Sequence, residues 1–236
     1  MKYFLPLLSL LALACGEKLS LGIARPETYL KDVKEELLKQ WPHNKTINLV
    51  FHGHSVPAGY FQTPDVKTLE AYPHQFLELL KAEYPTAVVN VITTAIGGEN
   101  AASGTKRFQK EVLNHQPDVL FIDYALNDRN IGLEAAYKAW EEMIRKAKAQ
   151  DIPVILLTPT PDLQVNILEP DNDLQRHSDQ IEQLAEKHGL GLVDSYEAFK
   201  LIAQQGEDLQ SYMSQSNHPN SAGHRIVAKE IMKYFR

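Results

Sequence analysis

The chain has 236 residues, a length that fits one domain or at most two small ones. Hydrophobic residues make up 44% and charged residues 23%, near the averages of globular proteins, which argues against a disordered, collagen-like or multi-span membrane chain. With 24 Lys and Arg against 30 Asp and Glu, the net charge of −6 offers no broad basic face to a phosphate backbone, so nucleic acid is not an expected partner. The single cysteine excludes an internal disulfide and a four-cysteine zinc site.

At the N-terminus, Met1 and Lys2 precede an apolar run from Tyr3 to Ala14. The run is too short to span a bilayer as a helix but has the length of a signal-peptide core. Ala12-Leu13-Ala14 satisfies the small-residue rule for cleavage, and Cys15 directly after it resembles the bacterial lipoprotein signal, whose cysteine is acylated and becomes the new N-terminus. The expected division is a signal peptide over residues 1–14, a lipid-attachment cysteine and tether over 15–26, and one domain over 27–236. The protein is then exported, periplasmic or on the cell surface, and held at the membrane through Cys15. The alternative is that Cys15 is simply the first residue of an unanchored exported protein.

Beyond the tether, strand-like and helix-like patterns alternate. Short apolar runs rich in β-branched residues lie at Ile47–Phe51, Ala87–Ile92, Val119–Tyr124, Val154–Leu157 and Leu190–Val193, as buried parallel strands require. Leu69, Phe76, Leu77 and Leu80 mark one apolar helix face between them. Ala136, Trp140, Met143, Ile144 and Ala147 mark a second, and Leu174, Ile181 and Leu184 a third. A last helix is expected over about 222–234, with Ile226, Val227, Ile231 and Met232 inward. Five strands alternating with helices indicate a three-layer α/β domain with a parallel sheet, whose chemistry belongs at the C-terminal strand ends.

Read in order, those ends carry polar residues at sharp exits. The first strand leaves through Gly53-His54-Ser55-Val56-Pro57, which exposes a serine hydroxyl after a buried strand. The second leaves through Ile96-Gly97-Gly98-Glu99-Asn100, where glycines leave backbone N–H groups uncovered. The third leaves through Tyr124-Ala125-Leu126-Asn127-Asp128, which supplies an uncharged amide donor. Near the C-terminus, His218 stands in the loop before the last helix.

These four blocks, in this order along nearly all of the mature chain, resemble the SGNH hydrolases, also called GDSL esterases and lipases. The resemblance implies a flavodoxin-like α/β fold with a five-stranded parallel sheet in the order 2-1-3-4-5. It also implies Ser55 as nucleophile, His218 as base, and an oxyanion hole made of the Ser55 and Gly98 amides and the Asn127 side chain. The implied reaction is hydrolysis of a carboxylic ester through an acyl-enzyme, which requires neither a metal nor an organic cofactor. The implied partner is a small-molecule or carbohydrate ester, and export makes an acetylated carbohydrate the first choice.

Two positions depart from the family pattern. Its first block usually reads Gly-Asp-Ser-Leu, whereas here His54 precedes the serine. Its last block usually has an aspartate three residues before the histidine, and that place is held by Gln215. A Ser-His dyad is expected, with the side-chain or backbone carbonyl of Gln215 orienting His218 through Nδ1–H. A catalytically weak binding lipoprotein of the same fold is the alternative that Gln215 favours. Asp194 reads as a helix cap rather than a replacement acid. His52 and His54 form an H-x-H pair without a completing carboxylate motif and are expected to face solvent or line the substrate site. Asp128 and Arg129 read as surface residues, and His224 as structural.

Overall fold

The computed structural model describes residues 21–236. The expected signal peptide and Cys15 therefore lie outside the described residues. Leu21 and Ala24 donate their N–H groups to the carbonyls of Glu186 and Leu190 at 3.1 and 2.9 Å, so the described end of the expected tether is seated on the domain. Two short helices follow, α1 (Pro26–Tyr29) and α2 (Lys31–Leu37), which deliver Leu30 and Leu37 to the core.

Strands β1 (Thr46–Gly53), β2 (Val88–Thr93), β3 (Val119–Asp123), β4 (Val154–Leu157) and β5 (Gly191–Val193) form one parallel sheet in the order β2-β1-β3-β4-β5. This is the order and class that the sequence leads one to expect. Helices α3 (Ser55–Ala58), α4 (Tyr72–Glu83), α5 (Ala101–Glu111), α6 (Ala125–Asp128), α7 (Leu133–Lys148), α8 (Asp173–His188), α9 (Ser195–Gln204) and α10 (Ser221–Met232) connect and cover it. A two-stranded antiparallel hairpin, β6 (Met213–Gln215) and β7 (His218–Pro219), precedes α10.

Successive residues of a strand face opposite sides, and the two cores follow that rule. Leu49, Phe51, Phe121 and Ile155 pack on one face with Phe76 of α4, Phe199 of α9 and Ile231 of α10. Val50, Leu120, Ile122 and Leu156 pack on the other with Phe108 of α5, Trp140 of α7 and Ile181 of α8. Burial on both faces explains why β3 and β4 read as unbroken apolar runs.

Two helical readings change. Leu69 is not part of a buried helix face: it sits in a 3₁₀ turn over Thr68–Glu70, 75% exposed, and α4 starts only at Tyr72 with Pro73 in its first turn. Proline at that place fits the free N-terminal end of a helix and sets the boundary. Helix α5 carries no apolar stripe to announce it. Its buried face is Ala101, Gly104, Thr105 and Phe108, and a Cβ on Gly104 would come within 2.2 Å of the Tyr124 hydroxyl.

Candidate active site

Ser55 opens α3 directly beyond the end of β1. Gly53 is needed there, because the parallel register sets it opposite Asp123 and a Cβ would lie 2.4 Å from the Asp123 carbonyl oxygen. His54 caps the short helix, its Nδ1 accepting from the Val56 N–H at 3.3 Å. The other partner comes from 163 residues away. Strand β7 starts at His218 and is pinned by α10, whose Asn220 cap accepts from the N–H groups of Ala222 and Gly223 at 2.9 and 3.1 Å. His218 Nε2 stands 2.9 Å from Ser55 Oγ.

For Nε2 to accept the serine proton, Nδ1 must carry the ring hydrogen. Its acceptor is the main-chain carbonyl of Phe61, 2.8 Å away. Gln215 does face His218, across the β6–β7 register, but it presents Nε2 at 2.7 Å from Nδ1, while its Oε1 accepts from the Thr63 N–H at 3.1 Å. The sequence pointed to Gln215 and not to Phe61, because a main-chain carbonyl leaves no mark in residue type. The Phe61 ring stacks on His224 at 5.2 Å, and Lys67 lies 5.0 Å over its centroid, which holds the loop against His218. Burial pushes the His218 imidazole below its ordinary pKa; the Phe61 carbonyl opposes this and nearby His54 adds to it. This favours the neutral form of His218, the form that can accept a proton.

Gly98 lies in the loop after β2 with φ +79°, a left-handed conformation in which glycine is unstrained. The Thr94 and Ile96 N–H groups bond to the carbonyls of Phe51 and Gly53 at 2.9 and 3.1 Å, keeping this loop on the end of β1. Asn127 Nδ2 donates to the Glu99 carbonyl at 2.8 Å, so one amide hydrogen fixes the side chain to the loop and the other remains for a ligand.

Asp128 is not a surface residue. It is fully buried and accepts from the Ala101 N–H at 2.7 Å and from Trp140 Nε1 at 2.6 Å, so it clamps the start of α5 to the turn bearing Asn127. Burial raises its carboxyl to about 6, against the two hydrogen bonds. Arg129 bonds instead to Asp162 at 2.7 Å.

The histidines of β1 and its exit are both buried, not solvent-facing, and they serve separate networks. His52 sits under α5, with Nδ1 2.9 Å from Thr94 Oγ1 and Nε2 3.1 Å from the Tyr124 hydroxyl. Burial, reinforced by the Arg107 charge, lowers its pKa to about 3. His54 turns toward Asp123, Nε2 lying 3.3 Å from Oδ1, while its Nδ1 is 3.4 Å from Ser55 Oγ. Among the described residues no group of three or more His, Cys, Asp or Glu side chains is arranged to hold a metal ion. Asp194 caps α9, accepting from the Glu197 N–H at 3.0 Å and from Thr158 Oγ1 at 2.8 Å. His224 is fully buried, and its Nδ1 accepts from the Tyr72 N–H at 3.3 Å.

A family model, the GDSL-like Lipase/Acylhydrolase family, matches residues 51–226. A comparison with curated proteins gives no match. Among solved structures, a two-domain esterase (CEX) active on acetylated mannans superposes with a TM-score of 0.72 at 22% identity, covering 91% of this chain and 54% of the other. The chain thus spans about half the length of that esterase. Axe2, an acetylxylan esterase from Geobacillus stearothermophilus, superposes with a TM-score of 0.70 at 22% identity, covering 80% of this chain and 94% of the other. At such identity these structures attest the fold, whereas the family model covers well over half of the sequence. The chain belongs to the GDSL-like lipase/acylhydrolase family, the ester hydrolases of SGNH type.

Proposed function

We propose that the protein is a serine esterase that cleaves carboxylic esters through an acyl-enzyme on Ser55, with acetylated carbohydrates as its substrate class. The observation that carries this reading is the 2.9 Å approach of His218 Nε2 to Ser55 Oγ, with Nδ1 held on the Phe61 carbonyl. His218 takes the Ser55 proton as Oγ attacks the carbonyl carbon. The tetrahedral oxyanion is held by the Ser55 and Gly98 amides and the Asn127 side chain. The bond to the alcohol then breaks and His218 returns the proton to that leaving group. Water attacks the acyl-enzyme, giving its proton to His218 and then to Ser55 Oγ, and the acid is released.

Support for a carbohydrate substrate is twofold. Two of the solved structures of similar fold are an esterase described as active on acetylated mannans and an acetylxylan esterase. Tyr60 lies beside the base, its ring 6.1 Å from that of His218 and close against Gly97, and offers an apolar face with a polar tip. A panel of acetylated xylo- and manno-oligosaccharides, short-chain esters and long-chain esters tests the class. Highest kcat/KM on the acetylated oligosaccharides is expected; preference for long-chain esters would contradict it, and hydrolysis of none would favour a binding role. The reading also includes export and a lipid on Cys15, which rest on the pattern of residues 1–15 alone.

A further inference from the structure

Ser-His catalysis develops a positive charge on the base, and the group that ordinarily offsets it, a carboxylate behind the histidine, is here replaced by Gln215. A buried carboxylate lies instead next to His54, the residue before Ser55. Asp123 ends β3 beside Gly53, is 4% exposed, and accepts the Tyr72 O–H on Oδ2 at 3.0 Å. Its Oδ1 lies 3.3 Å from His54 Nε2. Because the Val56 N–H donates to His54 Nδ1, the ring hydrogen of His54 is on Nε2, near the carboxylate but not hydrogen-bonded to it, and Nδ1, its lone pair taken by Val56, lies 3.4 Å from Ser55 Oγ. Tyr72, Asp123, His54 and Ser55 thus lie in one buried polar row beside the nucleophile, with a hydrogen bond at Tyr72–Asp123 and close contacts, not hydrogen bonds, at His54–Asp123 and His54–Ser55.

We propose that His54 and Asp123 together are positioning residues for the hydrolysis put forward above, supplying beside Ser55 the negative charge missing behind His218. The role is electrostatic and orienting. The serine proton goes to His218, 2.9 Å away, and His54 neither gains nor loses a proton. The Asp123 carboxylate, shielded from water, offsets the effect of the His54 ring on the imidazolium that forms on His218, and the His54 ring packs beside Oγ. Two positions that depart from the family pattern, His54 and Gln215, are on this view linked: the acid stands by His54 instead of by His218.

The inference rests on Ser55 and His218 being the reacting pair, so Ser55→Ala is assayed in parallel. The full chain is assayed with 4-nitrophenyl acetate. His54→Asn keeps an acceptor for the Val56 N–H but cannot reach Asp123, and Asp123→Asn removes the charge at constant size. Each should lower kcat by about 10- to 100-fold with KM within about twofold, less than the ~10⁴ of a true triad acid. The double variant should be no slower than the worse single one, because the pair acts as a unit. Gln215→Glu, which places a carboxylate behind His218, should raise kcat more in Asp123→Asn than in the unaltered protein. Should Asp123→Asn fail to fold, Tyr72→Phe removes only the donated hydroxyl and should lower kcat about threefold, on the scale of one net hydrogen bond. If His54→Asn keeps more than half of the kcat while Ser55→Ala is inactive, His54 is only a helix cap and the inference is overturned. Activity retained by Ser55→Ala would instead overturn the underlying reading.

Discussion

His218 Nδ1 and the carbonyl oxygen of Phe61 are 2.8 Å apart, and this main-chain contact fixes the tautomer that frees Nε2 for Ser55. Gln215 Nε2, 2.7 Å from the same nitrogen, sets a donor against a donor once Nδ1 carries its hydrogen. Replacing that NH₂ by an oxygen of the same reach removes the conflict and adds a charge that favours the imidazolium. Gln215→Glu should therefore raise kcat a few-fold to tenfold, equivalent to about 1 kcal/mol. In the unaltered protein burial holds His218 below the ordinary imidazole value, so the acid limb of the rate profile should have its midpoint under about 6.5. In Gln215→Glu that limb should move to higher pH. Acylation rates measured from pH 4 to 8 check both, and an unmoved limb would contradict the account of Nδ1.

Asn127 is fixed to the Gly98 loop by its bond to the Glu99 carbonyl, and only its second amide hydrogen is available to an oxyanion. Asn127→Ala should lower kcat by about 10²–10³ while KM changes little, since the interaction is made with the transition state. A rise in KM at constant kcat would assign Asn127 to ground-state binding.

Acid should weaken the fold through histidines that catalysis does not use. Burial lowers His52 and His224 to about 3, whereas unfolded imidazole titrates near 6.5. As the pH falls, the unfolded chain takes up these protons first. Their stabilising contribution is whole above about 6.5 and is lost progressively down to about 3. Between pH 7 and 5 each should account for about 2 kcal/mol of lost stability. His224→Asn, which keeps an acceptor for the Tyr72 N–H, should shrink the drop by about that amount in urea unfolding, and an unchanged drop would show that His224 is not a source of it.

The sequence revealed what depends on residue type and period. Strands β3 and β4 were legible because both of their faces are covered, and α7 because Trp140, Met143 and Ile144 recur at helical spacing. Helix α5 was not, since close contact with Tyr124 requires a glycine at 104 and Phe108 is the one large apolar residue on its buried face. Ser55 and His218 stood out as polar residues at strand and loop exits. Asp123 was hidden inside an apolar run, and only the register with Gly53 brings it beside His54. The alternation of His52 and His54 spoke of side and not of cover, so their burial needed the tertiary structure.

The N-terminal reading has its own check. If the segment up to Ala14 is cleaved and Cys15 acylated, the protein should partition into detergent, and Cys15→Ser should release it to the aqueous phase, because acyl chains on that residue supply the attachment. A mature protein whose mass includes Cys15 without acyl chains would contradict the anchor.

The central claim, that Ser55 is a nucleophile activated by His218, is tested most directly by covalent labelling. The protein is treated with a fluorophosphonate at pH 7.5 and the modified peptide identified by mass spectrometry. The account predicts stoichiometric labelling on Ser55 and parallel loss of esterase activity. It also predicts labelling slowed by at least about 100-fold in His218→Ala, within the range that general-base assistance supplies. Undiminished labelling of His218→Ala, or activity that survives full modification of Ser55, would contradict it.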